Sequence, residues 1–239
     1  MVLDLQTALY FVTLVFAFLS AILGILAVNT LFKDKLRELF SDGKFFIFFF
    51  LIVGYVLFAL GELSWYLIYR VFEKVPETGM PDFYWVTGAF FMLLSFVALS
   101  YMLYKNYGQT QRLVPILAGG SIFVVLVIAY VSIVGNETVE STFLTYFYPL
   151  MTSLILISST HLFLFFKHLD SIEANLIYLF FANIAFLGGD LLYAYWGLSG
   201  FLGSLANLFY VLAYALSAFA FFALLVKFYH HASGKSLLR

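Results

Sequence analysis

Along this chain, long apolar runs alternate with short clusters of charged and turn-forming residues. Seven runs stand out: Leu5–Leu31, Phe45–Phe72, Phe83–Tyr104, Leu113–Val134, Phe143–Phe166, Ala174–Trp196 and Leu205–Tyr229. A bilayer core takes about 20 helical residues, and each run supplies that or slightly more. None alternates apolar and polar positions for long, and each is too long for a barrel strand. Backbone groups that face lipid must be bonded within their own segment, which leaves helices. The pattern predicts an all-α, polytopic membrane protein: seven transmembrane helices in a single domain over residues 1–239, in the cell membrane as a multi-pass protein.

Composition supports this and removes alternatives. The chain is 64% hydrophobic and only 10% charged, whereas soluble domains carry roughly 25% charge. A net charge of -1 leaves no basic footprint for nucleic acid. The absence of cysteine excludes disulfide frameworks, thiol catalysis and Cys-ligated metals. Asp4, with no basic residue before the first run, argues for a retained first helix rather than a cleaved signal.

Basic residues concentrate on the inner side of membranes and so orient the chain. Lys33, Lys35, Arg37 and Lys44 follow the first run, Lys105 and Arg112 the third, and Lys167 the fifth, with Lys227, Lys235 and Arg239 at the end. On the opposite side, Glu137 and Glu140 stand alone, while Arg70 and Lys74 are offset by Glu73, Glu77 and Asp82. The expected topology is N-outside, C-inside. Leu31–Lys44, Lys105–Arg112 and the tail would be the inner surfaces open to a partner, and Lys33–Phe40 would lie amphipathically against anionic lipid.

A long-range duplication is also visible. ALGELSWYLIY (59–69) resembles FLGGDLLYAYW (186–196), with Glu62 opposite Asp190 and Trp65 opposite Tyr193. PDFYWVTGAF (81–90) resembles ANLFYVLAYA (206–215), with Asp82 opposite Asn207 and Tyr84–Trp85 opposite Phe209–Tyr210. An odd number of spans separates the copies, so both run the same way. The expectation is two parallel three-helix repeats, about 5–104 and about 143–231, joined by a linker helix at about 113–134.

An acid deep in a span costs roughly 2.5–3.5 kcal/mol on insertion scales and should face protein or water. Glu62 and Asp190 are therefore the principal binding candidates, placed in the outer half of the second and sixth spans. Asn183 and Tyr55 lie two turns below them on the same faces, while Trp65, Tyr66 and Tyr193 follow one turn on. Such surroundings suit protons, a cation against ring faces, or an amphipathic ligand. Asp82 and Asn207 stand at the outer starts of the third and seventh spans, where Asp82 and Ser204 also suit helix capping. A secondary polar patch is Ser158, Thr160 and His161, whose hydroxyls can bond back to their own helix. His161 and His168 are roughly 10 Å apart along the helix, too far for one metal, so no metal site is expected. Gly54 and Gly61 suggest close helix packing, and Gly200 and Gly203 a short turn between the last two spans.

No catalytic constellation is visible, since Ser158, Ser159 and His161 do not face one another in a helix and lack an orienting acid. A retinal chromophore would need a Lys in the middle of the last span, but Lys227 lies near its inner end. No other cofactor is predicted. The blocks GELSWYLIY with PDFYWVTGAF, and GGDLLYAYW with SLANLFYVLAYAL, resemble membrane sensory modules that precede diguanylate-cyclase or histidine-kinase output domains in bacteria and archaea. Here Asp82 follows Pro81 without the alanine of that pattern, and Asn207 replaces its acid. About ten residues follow Tyr229, so the resemblance implies a freestanding sensor that signals through a separate cytoplasmic or membrane partner. It would bind a small amphipathic ligand or protons in an outer-half pocket. A small-solute or proton-coupled transporter is the alternative, and a structural or accessory subunit a further one.

Overall fold

Helix boundaries follow the charged clusters, as length and composition require. A computed structural model describes residues 5–32, 43–72, 79–107, 110–134, 142–168, 174–196 and 200–232. It contains α1 (Leu5–Leu31), α2 (Gly43–Tyr66), α3 (Met80–Tyr107), α4 (Thr110–Val134), α5 (Thr142–His168), α6 (Ala174–Trp196) and α7 (Gly200–Ala232). Among the described residues, seven helices are long and apolar enough to cross a membrane. The protein is thus an all-α, seven-helix, multi-pass membrane protein. Lys33–Phe40, Glu73, Lys74, Glu77, Glu137, Glu140, Lys235 and Arg239 lie outside the described residues, as do the side chains of Arg70, Arg112, Lys167 and His168.

One boundary differs from expectation. Gly200 and Gly203 do not form a turn; α7 begins at Gly200, and Gly203 is buried within its first turn. Ser204 is consequently inside the helix rather than at its cap. Glycine is common in membrane helices, where its missing side chain serves packing more than chain reversal. The start of α3 behaves as its sequence suggests. Pro81 occupies the first turn, where its missing amide costs nothing, and the Gly79 amide donates to Asp82 Oδ2 at 3.0 Å. An acid three residues past the cap bonding back to it closes one of the free amides of the helix start. At its other end, α2 widens into a π-helical turn over Leu67–Val71, where the Phe72 amide bonds the Leu67 carbonyl at 2.9 Å.

Six helices close a ring in the order α1, α2, α3, α5, α6, α7, with α7 returning to α1. The broadest seams are α2–α3 and α6–α7. Helix α4 stands outside against α5 and, more narrowly, α6; only 17% of its span is buried, against 44% for α5, α6 and α7. The ring interior holds Tyr55, Met92, Phe96, Leu162, Phe186, Tyr214 and Phe221. Lipid offers no hydrophobic drive between helices, so close packing and interhelical bonds hold the ring. At Gly54 and Gly88 a side chain on either residue would lie 2.9 Å from the other's carbonyl oxygen. The same seam carries a bond from Ser95 Oγ to the Ile47 carbonyl at 2.7 Å.

Candidate functional site

Helix α7 carries Tyr210 and Tyr214 one turn apart, which puts both hydroxyls on one face. Tyr210 donates to Asp190 Oδ1 on α6 at 2.9 Å, and Tyr214 donates to Glu62 Oε1 on α2 at 3.0 Å. Each tyrosine lies within electrostatic reach of both carboxyls. A single helix therefore ties the two acids together at the end of the bundle where α2 and α6 terminate. Asp190 is 9% exposed and Glu62 half-buried.

Neighbouring helices complete the arrangement. The Thr152 hydroxyl on α5 is bonded to Asp190 Oδ2 and lies 2.8 Å from the Tyr148 carbonyl. One turn earlier on the same face, the Tyr148 hydroxyl donates to Asp82 Oδ1 at 2.9 Å. The Trp85 indole lies beside Glu62 and against Gly61, with its N–H just short of a hydrogen bond. Among the described residues, every partner of Glu62 and Asp190 is thus a neutral hydroxyl or indole; no basic side chain neutralises either acid.

Aromatic rings border this polar centre. Trp65 stacks on Tyr69 at 5.6 Å, tilts against Trp85 at 5.9 Å and against Tyr10 at 6.4 Å. The Trp85 ring meets Tyr148 edge-on at 6.4 Å. The stacked Tyr69 belongs to the π-helical turn, a distortion frequent at functional sites. Ring faces beside unneutralised carboxyls favour positive charge.

The sequence-derived candidates divide into groups. Glu62, Asp190 and Asp82 enter the hydrogen-bond network. Trp65 borders it through Trp85, and Tyr193 lies in electrostatic reach of Tyr148 and Tyr210. Asn207, 4% exposed with Nδ2 unpartnered, sits one turn before Tyr210 without bonding either acid. Tyr55 is elsewhere: its hydroxyl bonds Ser217 Oγ at 2.8 Å deep in the ring. Tyr66 meets the exposed Phe11 at 6.2 Å instead of the acids. Asn183 is fully buried and its amide has no partner. In the patch on α5, Thr160 bonds back to the Leu156 carbonyl at 2.7 Å, Ser158 is half-buried, and His161 is buried with Nδ1 unpartnered. The residues that sequence reasoning missed as partners are Tyr148, Thr152, Tyr210 and Tyr214. Their signal was the four-residue spacing of each pair.

Comparison with family models, with curated proteins and with solved structures returned no match.

Proposed function

We propose that this protein is a membrane sensor whose receptor element is the acid pair Glu62 and Asp190, taking up protons or a small amphipathic cation from the outer face. The observation that carries this is the α7 bridge: Tyr210 and Tyr214 hold one acid each, and no cation among the described residues neutralises them. A bound cation would meet charged carboxyls, whereas a captured proton would neutralise the carboxyl that takes it. The two states differ in what the two tyrosine hydroxyls face, so α7 is biased by occupancy and carries the signal to a partner at the inner face. The outward placement of the acids follows the distribution of basic residues.

A parallel duplication supports one site built from two halves. Gly61 precedes Glu62 and packs on Trp85; Gly189 precedes Asp190 and packs on Tyr210, the residue matched to Trp85. Each acid is then met by that same aromatic position of the following helix. Helix neighbours agree as well, because α1 against α7 matches α5 against α3.

Transport is the second reading. Beneath the acids the interior is filled by crossed rings, Phe186 with Tyr214 at 5.0 Å and Tyr55 with Phe221 at 5.1 Å. That filling favours sensing over passage. The test is tryptophan fluorescence of the protein in nanodiscs during pH steps and during titration with butyltrimethylammonium. A saturable change with at least one probe is expected, and it should vanish in the Glu62→Gln, Asp190→Asn double variant. No change in the native protein, or an undiminished change in the double variant, would overturn the proposal. Protein-dependent proton or ammonium flux into liposomes would move the assignment to transport.

A further inference from the structure

Below the acid layer, the α5–α6 seam contains a second polar level. Its register is set by two contacts, Thr152 with Asp190 and the stacked rings of Phe163 and Phe180 at 4.7 Å. The helices run antiparallel, so Ser159 lies seven residues beyond Thr152 and Asn183 seven residues before Asp190. Seven residues are close to two turns, about 10 Å, which returns each side chain to the face of its acid-layer counterpart. Ser159 and Asn183 therefore stand at one level between the two anchoring contacts. Ser159 is 3% exposed and Asn183 1%.

Hydrogen bonding at this level is incomplete. Ser159 and Thr160 both donate to the Leu156 carbonyl, at 3.0 and 2.7 Å. That uses their protons and leaves their oxygens able to accept. The Asn183 amide brings an acceptor and two donor hydrogens, yet neither Oδ1 nor Nδ2 has a partner. Buried amides are nearly always bonded, to protein or to ordered water. None of these three side chains is charged, so the fitting occupant is a small neutral molecule that both donates and accepts.

We propose that Asn183, Ser159 and Thr160 form an internal hydration site in the α5–α6 seam, distinct from the acid pair and occupied by water. One water accepts from Nδ2 and donates to a hydroxyl oxygen, and a second donates to Oδ1. Buried waters of this kind typically make two to four bonds to otherwise unsatisfied groups.

X-ray hydroxyl-radical footprinting in nanodiscs tests this, because radicals arise from bound water and label its neighbours. Leu179 precedes Asn183 by one turn; Leu51 precedes Tyr55 by one turn, beside a hydroxyl already bonded to Ser217. Their exposures are 7% and 5%, which makes Leu51 the internal control. The expected result is several-fold greater labelling at Leu179 than at Leu51, abolished by Asn183→Leu and retained in Asn183→Ser. Equal labelling of the two leucines in the native protein overturns the proposal, a comparison that needs no variant to fold. Labelling at Leu179 that survives Asn183→Leu overturns it too.

Discussion

Two tyrosine bridges join α2 to α7, and they end differently. In the deeper one, Ser217 donates to the Ala213 carbonyl at 2.8 Å, so its only proton is committed and Tyr55 must be the donor in the 2.8 Å bond between them. That chain terminates on a backbone oxygen and has no protonation state to change. In the upper one, Tyr214 donates to Glu62 at 3.0 Å, and one turn away Tyr210 repeats the arrangement with Asp190. Those chains terminate on carboxyls, whose charge can change. The same bridge is a fastener at one level and a responsive contact at the other. What differs is the terminal acceptor, not the helix pair.

Glycine substitutions should separate the levels most sharply. At Gly54 a new methyl group would meet the Gly88 carbonyl at 2.9 Å, and a backbone atom cannot step aside without parting α2 from α3. Gly54→Ala should cost about 3 kcal/mol, the upper part of the usual overpacking range. At Gly61 the obstacle is the Trp85 side chain, which can rotate. Gly61→Ala should cost less and alter tryptophan fluorescence by moving the indole from Glu62. Thermal unfolding in nanodiscs ranks the two; an equal cost would mean that the acid layer is as rigid as the level below it.

The next effect is that of removing a donor from an acid. Tyr214→Phe leaves the half-buried Glu62 without its hydroxyl bond, and an unsatisfied acceptor costs about 1–3 kcal/mol when fully buried. The figure should come near 2 kcal/mol by the same unfolding measurement, with Glu62→Gln in the Tyr214→Phe background recovering part of it. A loss under about 0.5 kcal/mol, well below that range, would show that Glu62 finds water instead.

The spans were legible because twenty apolar residues between charges have few other uses, and Glu62 and Asp190 because an acid in such a run needs a reason. Their partners were not. The chain has 17 tyrosines, and apolar neighbours on all sides conceal which face of a membrane helix looks inward. Tyr210 and Tyr214 became distinct only once α7 was placed beside α6, with Tyr214 reaching Glu62 on α2. Tyr55 was misjudged for the same reason: its position two turns below Glu62 shows a shared face, but not that Ser217 is already there to take its bond. Gly200 and Gly203 misled because glycine marks turns in water-soluble chains, while here both lie within α7 and Gly203 is buried.

The smallest effect belongs to the deeper bridge. Tyr55→Phe removes a neutral hydroxyl bond between helices and leaves the ring in place against Phe221 at 5.1 Å. Such bonds between membrane helices average about 0.6 kcal/mol. Ser217 keeps its own bond to the Ala213 carbonyl, so no donor is orphaned by the change. Tyr55→Phe should therefore lower stability by about 0.6 kcal/mol and leave the fluorescence response to protons and butyltrimethylammonium intact. If it abolished that response while Tyr214→Phe did not, the responsive contact would have to be moved two turns down the bundle, from a carboxyl to a hydroxyl pair that has no charge to vary.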